Sequence, residues 1–210
     1  GRLWARCLLL QQPKAKPADP QAYALFLQAR QLARAGELAN LAQAVALCQQ
    51  ALAIDPRLVP ALCLMAQCYM GQSDLGLRSN DEGYRLAREA SERALAIDPE
   101  SALAHASLGS IIQSTSSDLA AAAAHYERAL ALEPTNTDIM VEAMRFGRAL
   151  GRFDLIVAMG EYVVAHDPLN TMARATLGGT LFRAGRDAEG IAHLRMVEQI
   201  APTRGLTHYT

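Results

Sequence analysis

"ALAIDP" occupies residues 51–56, and the same six residues return at 94–99. A near copy, "ALALEP", fills 129–134, and looser versions follow as "VVAHDP" at 163–168 and "EQIAP" at 198–202, with "PADP" ahead of them at 17–20. The closing prolines are Pro20, Pro56, Pro99, Pro134, Pro168 and Pro202, separated by 36, 43, 35, 34 and 34 residues. A spacing that regular is the mark of an internal repeat, and the inside of each interval shows of what.

Proline lacks an N–H and forces the residue before it out of the α region, so each of these prolines is expected to end a helix. Between them lie two helical stretches. The third interval has "SALAHASLGSIIQS" (101–114), a polar turn, then "SDLAAAAAHYERALALE" (117–133). Apolar residues in both recur at steps of three and four, one buried stripe per helix. Small residues fall in phase: Ala44, Ala87 and Ala122 stand twelve before their prolines, and Ala51, Ala94 and Ala129 five before. Cys48, Ser91 and Tyr126 stand eight before, where a residue fills the space between helices. Leu108–Gly109 and Leu177–Gly178 share a place in the first helices, Tyr69 and Leu181 another, and Gly151 and Gly185 mark the turn between helices.

A helix–turn–helix unit of about 34 residues with Leu-Gly, Tyr, Ala, a large residue, Ala and Pro in this order resembles the tetratricopeptide repeat. The resemblance implies an all-α, right-handed α-solenoid of about five units at 20–56, 57–99, 100–134, 135–168 and 169–202. One helical hairpin buries too little surface to stand alone, and stacking gives neighbours a shared core. The unit closing at Pro168 departs most, with Ile156, Gly160 and Val163 where Ala, a large residue and Ala are expected, so its packing should be looser or differently shaped. The 43-residue unit is the long one, and "GQSDLGLRSNDEG" (71–83) has the composition of an inserted surface loop. Residues 1–19 read as an N-terminal segment, a short helix over 3–12 and then a proline-rich linker, and 203–210 as a loose tail.

Composition narrows the function. The 210 residues carry 20 basic and 21 acidic side chains, a formal charge of −1, which gives no pull towards nucleic acid or an anionic membrane. No run approaches the roughly 20 apolar residues of a membrane span, and no signal peptide is evident. Cys7, Cys48, Cys63 and Cys68 form no metal-binding or redox pair and read as free thiols. The five histidines are scattered, although His105 and His125 lie on opposed helices of one unit and could meet. Nucleotide-binding, zinc-protease and esterase signatures are absent, so the expectation is no catalysis, no cofactor and no metal.

What remains is a surface. The resemblance implies that the first helix of each unit lines a concave face that receives an extended or helical peptide. The repeat alignment puts Gln31 and Arg34, Gln67 and Met70, Ser110 and Gln113, Arg145 and Arg148, and Phe182 on that face. Amides, an adaptable Met and two arginines one turn apart would suit a peptide with polar backbone contacts and an acidic side chain. The lysine-and-asparagine clamp of tetratricopeptide domains that hold chaperone tails is missing, since Leu27, Gln31 and Cys63 stand in its places. The expected partner is therefore a protein or peptide, with no nucleic acid and no membrane. The competing reading is self-assembly, a homo-oligomer stacked through exposed end faces. The sequence opens on Gly1, and "AYALFLQARQL" (22–32) resembles the start of the C-terminal region of bacterial regulators with a winged-helix or nucleotide-cyclase domain. That implies the cytoplasmic, sensory part of a larger bacterial signalling protein.

Overall fold

The computed structural model describes residues 18–200 apart from 36–37, with no side-chain account of 34–39. The expected helix at 3–12, most of the linker, Pro202 and the 203–210 tail lie outside the described residues.

Within them the chain is helical throughout: α1 (Pro20–Ala35), α2 (Leu38–Ile54), α3 (Val59–Asp74), α4 (Asn80–Ile97), α5 (Ala102–Thr115), α6 (Leu119–Leu132), α7 (Thr137–Ala149), α8 (Phe153–His166), α9 (Thr171–Arg183) and α10 (Asp187–Ile200). Pro56, Pro99, Pro134 and Pro168 each fall two residues beyond the end of an even-numbered helix. Pro20 does the opposite and opens α1. Its missing N–H is harmless in a first turn, and Asp19 ahead of it accepts from the N–H groups of Gln21 and Ala22.

Most of the later helix starts are capped in the same manner. Ser79, Ser101, Asp118, Asn136 and Asn170 turn their side-chain oxygens onto free N–H groups of α4, α5, α6, α7 and α9. Gly151 and Gly185 sit in the tight turns α7–α8 and α9–α10 with φ of 67° and 72°, a region closed to most side chains.

The helices pack in a line. Each touches the next, and each odd-numbered helix also touches the following odd-numbered one. Among the described residues no two even-numbered helices approach within 8 Å between Cα atoms, nor does any helix come that close to one more than two places away. An inner row of odd helices in mutual contact and an outer row of separated even ones make an open, curved α-solenoid rather than a closed bundle. The small-residue phase is seated in the helix crossings: Ala44, Ala51, Ala87, Ala94, Ala122 and Ala129 are all fully buried. One apolar core runs from α1 into α5, and smaller clusters carry it on to α9.

The fourth unit is differently shaped, as its departures suggest: a Cβ on Gly160 would stand 3.0 Å from Met144 Cε and 3.1 Å from Leu177 Cβ, so neighbouring large residues occupy the space its own side chain leaves. One expectation is corrected. The excess of the 43-residue unit is not mainly a loop. Compared with the unit closing at Pro134, α3 is longer by two residues, the turn by two and α4 by four. Ser79 and Glu82, a Ser-x-x-Glu pair, start α4 early enough to absorb half of the extra chain. No described helix is long and apolar enough to cross a membrane.

Candidate functional site: the concave groove

The inner row of helices forms the wall of an open groove with a cavity of about 650 Å³. Phe26, Arg30 and Ala33 of α1 stand at one end, and Met172 of α9 with the cap residue Asn170 at the other. Between them α3 contributes Leu64, Gln67, Met70 and Asp74, α5 contributes Leu103, Ser110, Gln113 and Ser114, and α7 contributes Asp138, Val141, Glu142 and Arg145. Only Leu41 and Tyr84 come from even-numbered helices. The half built by α1 and α3 is largely apolar, and the half from Asp74 onward is polar.

The polar half is a connected network. Tyr84 Oη donates to Asp74 Oδ1 at 2.8 Å. Burial and the adjoining carboxylate both raise the Tyr84 pKa, so the phenol stays protonated and keeps donating. Arg145 lies between two carboxylates, 3.9 Å from Asp74 Oδ2 and 3.5 Å from Glu142 Oε2. Ser110 Oγ donates to Glu142 Oε2 at 2.8 Å. The same hydroxyl therefore accepts from Tyr126 Oη, also at 2.8 Å, and burial raises the Tyr126 pKa. Tyr126 reaches Ser110 from α6 because Gly109 leaves room for its ring: a Cβ there would stand 3.0 Å from it. Asp138, one helical turn before Glu142, makes no ion pair with any described residue.

Of the residues expected on the inward face, Gln67, Met70, Ser110, Gln113 and Arg145 line this cavity together. Gln31 and Arg148 are exposed and do not line it. Phe182 lies in the α9–α10 pair, its ring 3.2 Å from where a Cβ on Gly190 would be. Arg34 belongs to α1, its side chain outside the described residues. Cys63, aligned with a clamp position, is instead buried, its Sγ 3.6 Å from Ser101 Oγ. Of the two arginines one turn apart, Arg145 lines the cavity and is shared by two carboxylates, while Arg148 does not line it. Sequence reasoning missed Asp74, Tyr84, Asp138 and Glu142. Three were within reach of it: Asp138 and Glu142 stand seven and three before Arg145, and Asp74 stands seven after Gln67, each on the same helix face.

Elsewhere the chemistry is quiet. Cys48, Cys63 and Cys68 are buried free thiols; burial pushes Cys48 and Cys68 up to about 12 and Cys63 to about 11, leaving them protonated and poor nucleophiles. His105 and His125 do meet, Nδ1 to Nδ1 at 3.1 Å. Among the described residues no three His, Cys, Asp or Glu side chains gather as metal ligands would.

No protein-family model matches the chain, and no curated protein matches it in sequence. Solved structures do match in shape. A thermophilic tetratricopeptide-repeat protein of Thermus thermophilus, TTC0263, superposes with a TM-score of 0.65 at 20% identity, covering 87% of this chain and 93% of that one. PilW, a widely conserved type IV pilus biogenesis factor, gives 0.61 at 23% identity, covering 89% and 80%. YrrB, described as a tetratricopeptide-repeat protein with an unusual peptide-binding site, gives 0.50 at 20% identity, covering 87% and 88%. At these identities the likeness is one of fold, and the fold is the tetratricopeptide-repeat solenoid.

Proposed function

We propose that this solenoid is a protein-interaction scaffold, without catalysis of its own, whose concave groove takes an extended segment of another protein. The observation that carries the reading is one continuous groove lined by five successive inner helices, from Phe26 on α1 to Met172 on α9. Packed helices stand roughly 8–10 Å apart, so four steps span roughly 30–40 Å. An extended peptide rises about 3.3 Å per residue, and about ten residues would fill that length. The lining suits such a ligand. Leu64, Leu103 and Val141 offer apolar contact, while Gln67 and Gln113 can each donate to and accept from a peptide backbone. YrrB, with the same fold, is described as having a peptide-binding site, which is consistent with this use of the surface. Two of the groove carboxylates, Asp74 and Glu142, are engaged by Tyr84, Ser110 and Arg145, which suits them to shaping a surface better than to proton transfer.

The test fills the groove. Peptides selected on the protein from a random display library are measured against the wild type and a Gln67→Trp/Gln113→Trp variant whose helical melting curve is checked in parallel. Both side chains line the cavity and are not fully buried, so the indoles should occupy it without entering the core. Affinity is expected to fall at least about tenfold in the variant. Equal affinity for the two proteins would place binding elsewhere and remove the groove from the account.

A further inference from the structure

We propose, resting on the groove reading, that the segment it takes carries a lysine or arginine whose charged end is received by Asp138 and Glu142. The groove holds three carboxylates, Asp74, Asp138 and Glu142, against two guanidiniums, Arg30 and Arg145. Arg30 stands at the far end, 5.5 Å over the ring of Phe26 on its own helix. Arg145 sits at the Asp74 side and is divided between Asp74 and Glu142. The excess negative charge therefore concentrates at Asp138 and the near face of Glu142.

Those two residues are four apart on α7, a spacing at which like charges repel and slightly destabilise a helix. Asp138 alone has a local explanation, because an acid in a first turn complements the helix dipole. Glu142 lies a turn further in, where that benefit has faded. A cation supplied from outside relieves the repulsion that the fold leaves standing.

The surroundings fit a long basic side chain. Met70, Leu103 and Val141 line the groove together with both carboxylates. Apolar side chains beside an acidic pair match an aliphatic stem that lies along the groove wall and ends in a charge. An acidic side chain would instead face three carboxylates with the one nearby guanidinium already shared.

The experiment uses three pools of fluorescein-labelled dodecapeptides of randomised neutral sequence, identical but for a central basic, neutral or acidic residue, read by anisotropy on the full chain. The basic pool is expected to bind about tenfold tighter than the neutral one, the gap shrinking as salt is raised. Asp138→Asn/Glu142→Gln should bring the basic pool down to the neutral value. Glu92→Gln/Glu127→Gln, the same charge change on exposed positions of α4 and α6, should leave it unchanged. Asp138→Arg should turn the preference towards the acidic pool, which guards against a double variant that merely unfolds. A basic preference that survives in Asp138→Asn/Glu142→Gln, or that is lost equally in the α4/α6 variant, overturns the assignment. If instead all pools bind alike and the indole-filled groove loses them all, the groove reading stands and only the basic residue falls. If filling the groove affects no pool, both fall together.

Discussion

His105 and His125 show how single side chains set the conditions under which this chain is stable. His105 Nε2 lies 3.2 Å from the carbonyl of Pro99, which can only accept, so that nitrogen carries a proton and Nδ1 is left to accept from His125. Burial first, then His105 and Arg88, hold the His125 pKa below its ordinary 6.5; burial and Arg174 do the same for His193. The unfolded chain therefore takes up protons before the folded one as pH falls through about 6.5, and acid favours unfolding over that window. The melting temperature is expected to be level above about pH 7.5 and to decline between about pH 7 and 5. Replacing both histidines, His125→Gln/His193→Gln, should flatten that decline, and an unchanged slope in differential scanning calorimetry would contradict it. At this scale the sequence was most legible. Ala, Cys, Ser and Tyr at fixed distances before proline are visible as letters, and all of them lie in helix crossings. Which histidine nitrogen holds a proton was not, because it depends on a carbonyl six residues away in chain and adjacent only in the fold.

Elements were legible in type and less so in length. The residues 71–83 read as a loop because Gly, Ser, Asn and Asp favour turns, yet Ser79 caps α4 by accepting from the Glu82 N–H and the stretch becomes mostly helix. The gain in length matters for function, since it places Asp74 at the end of α3 and Tyr84 near the start of α4, on the groove rim. Helix α7 depends on a similar device. Asn136 Oδ1 accepts from the N–H groups of Asp138 and Ile139, fixing the first turn of the helix that carries Asp138, Glu142 and Arg145. Asn136→Ala is expected to cost about 1 kcal/mol, and the thermal midpoint should fall by roughly 2–4 °C. Asn136→Asp should retain most of the stability, because an aspartate caps as well and suits the helix dipole. An alanine variant that melts with the wild type would show that the cap does not hold the helix.

Over the whole molecule, stability should grade along the line of helices because contacts reach only to near neighbours. The unbroken core of α1–α5 contrasts with α10, where Gly190 and Val197 are the buried residues and Ile191 and Met196 are exposed. Native-state hydrogen exchange should find amides of α10 exchanging at least about tenfold faster than those of α3, through local rather than global opening. Uniform protection across the chain would mean that it unfolds as one unit. The groove was half legible at this scale. Inward positions on α3 and α5 follow from helical period, but the pairing of Arg145 with Asp74 joins residues on α7 and α3, and no local pattern announces it.

The inner helices touch one another in succession, while among the described residues no two outer ones come within 8 Å between Cα atoms. Bending the array about that inner line changes the gap between outer helices without parting any backbone packed within 8 Å among the described residues. The molecule is thus built like a watch strap, stiff along its links and compliant in flexure. A ligand laid across several links would set the curvature, and a change in curvature would in turn be felt at both ends of the chain.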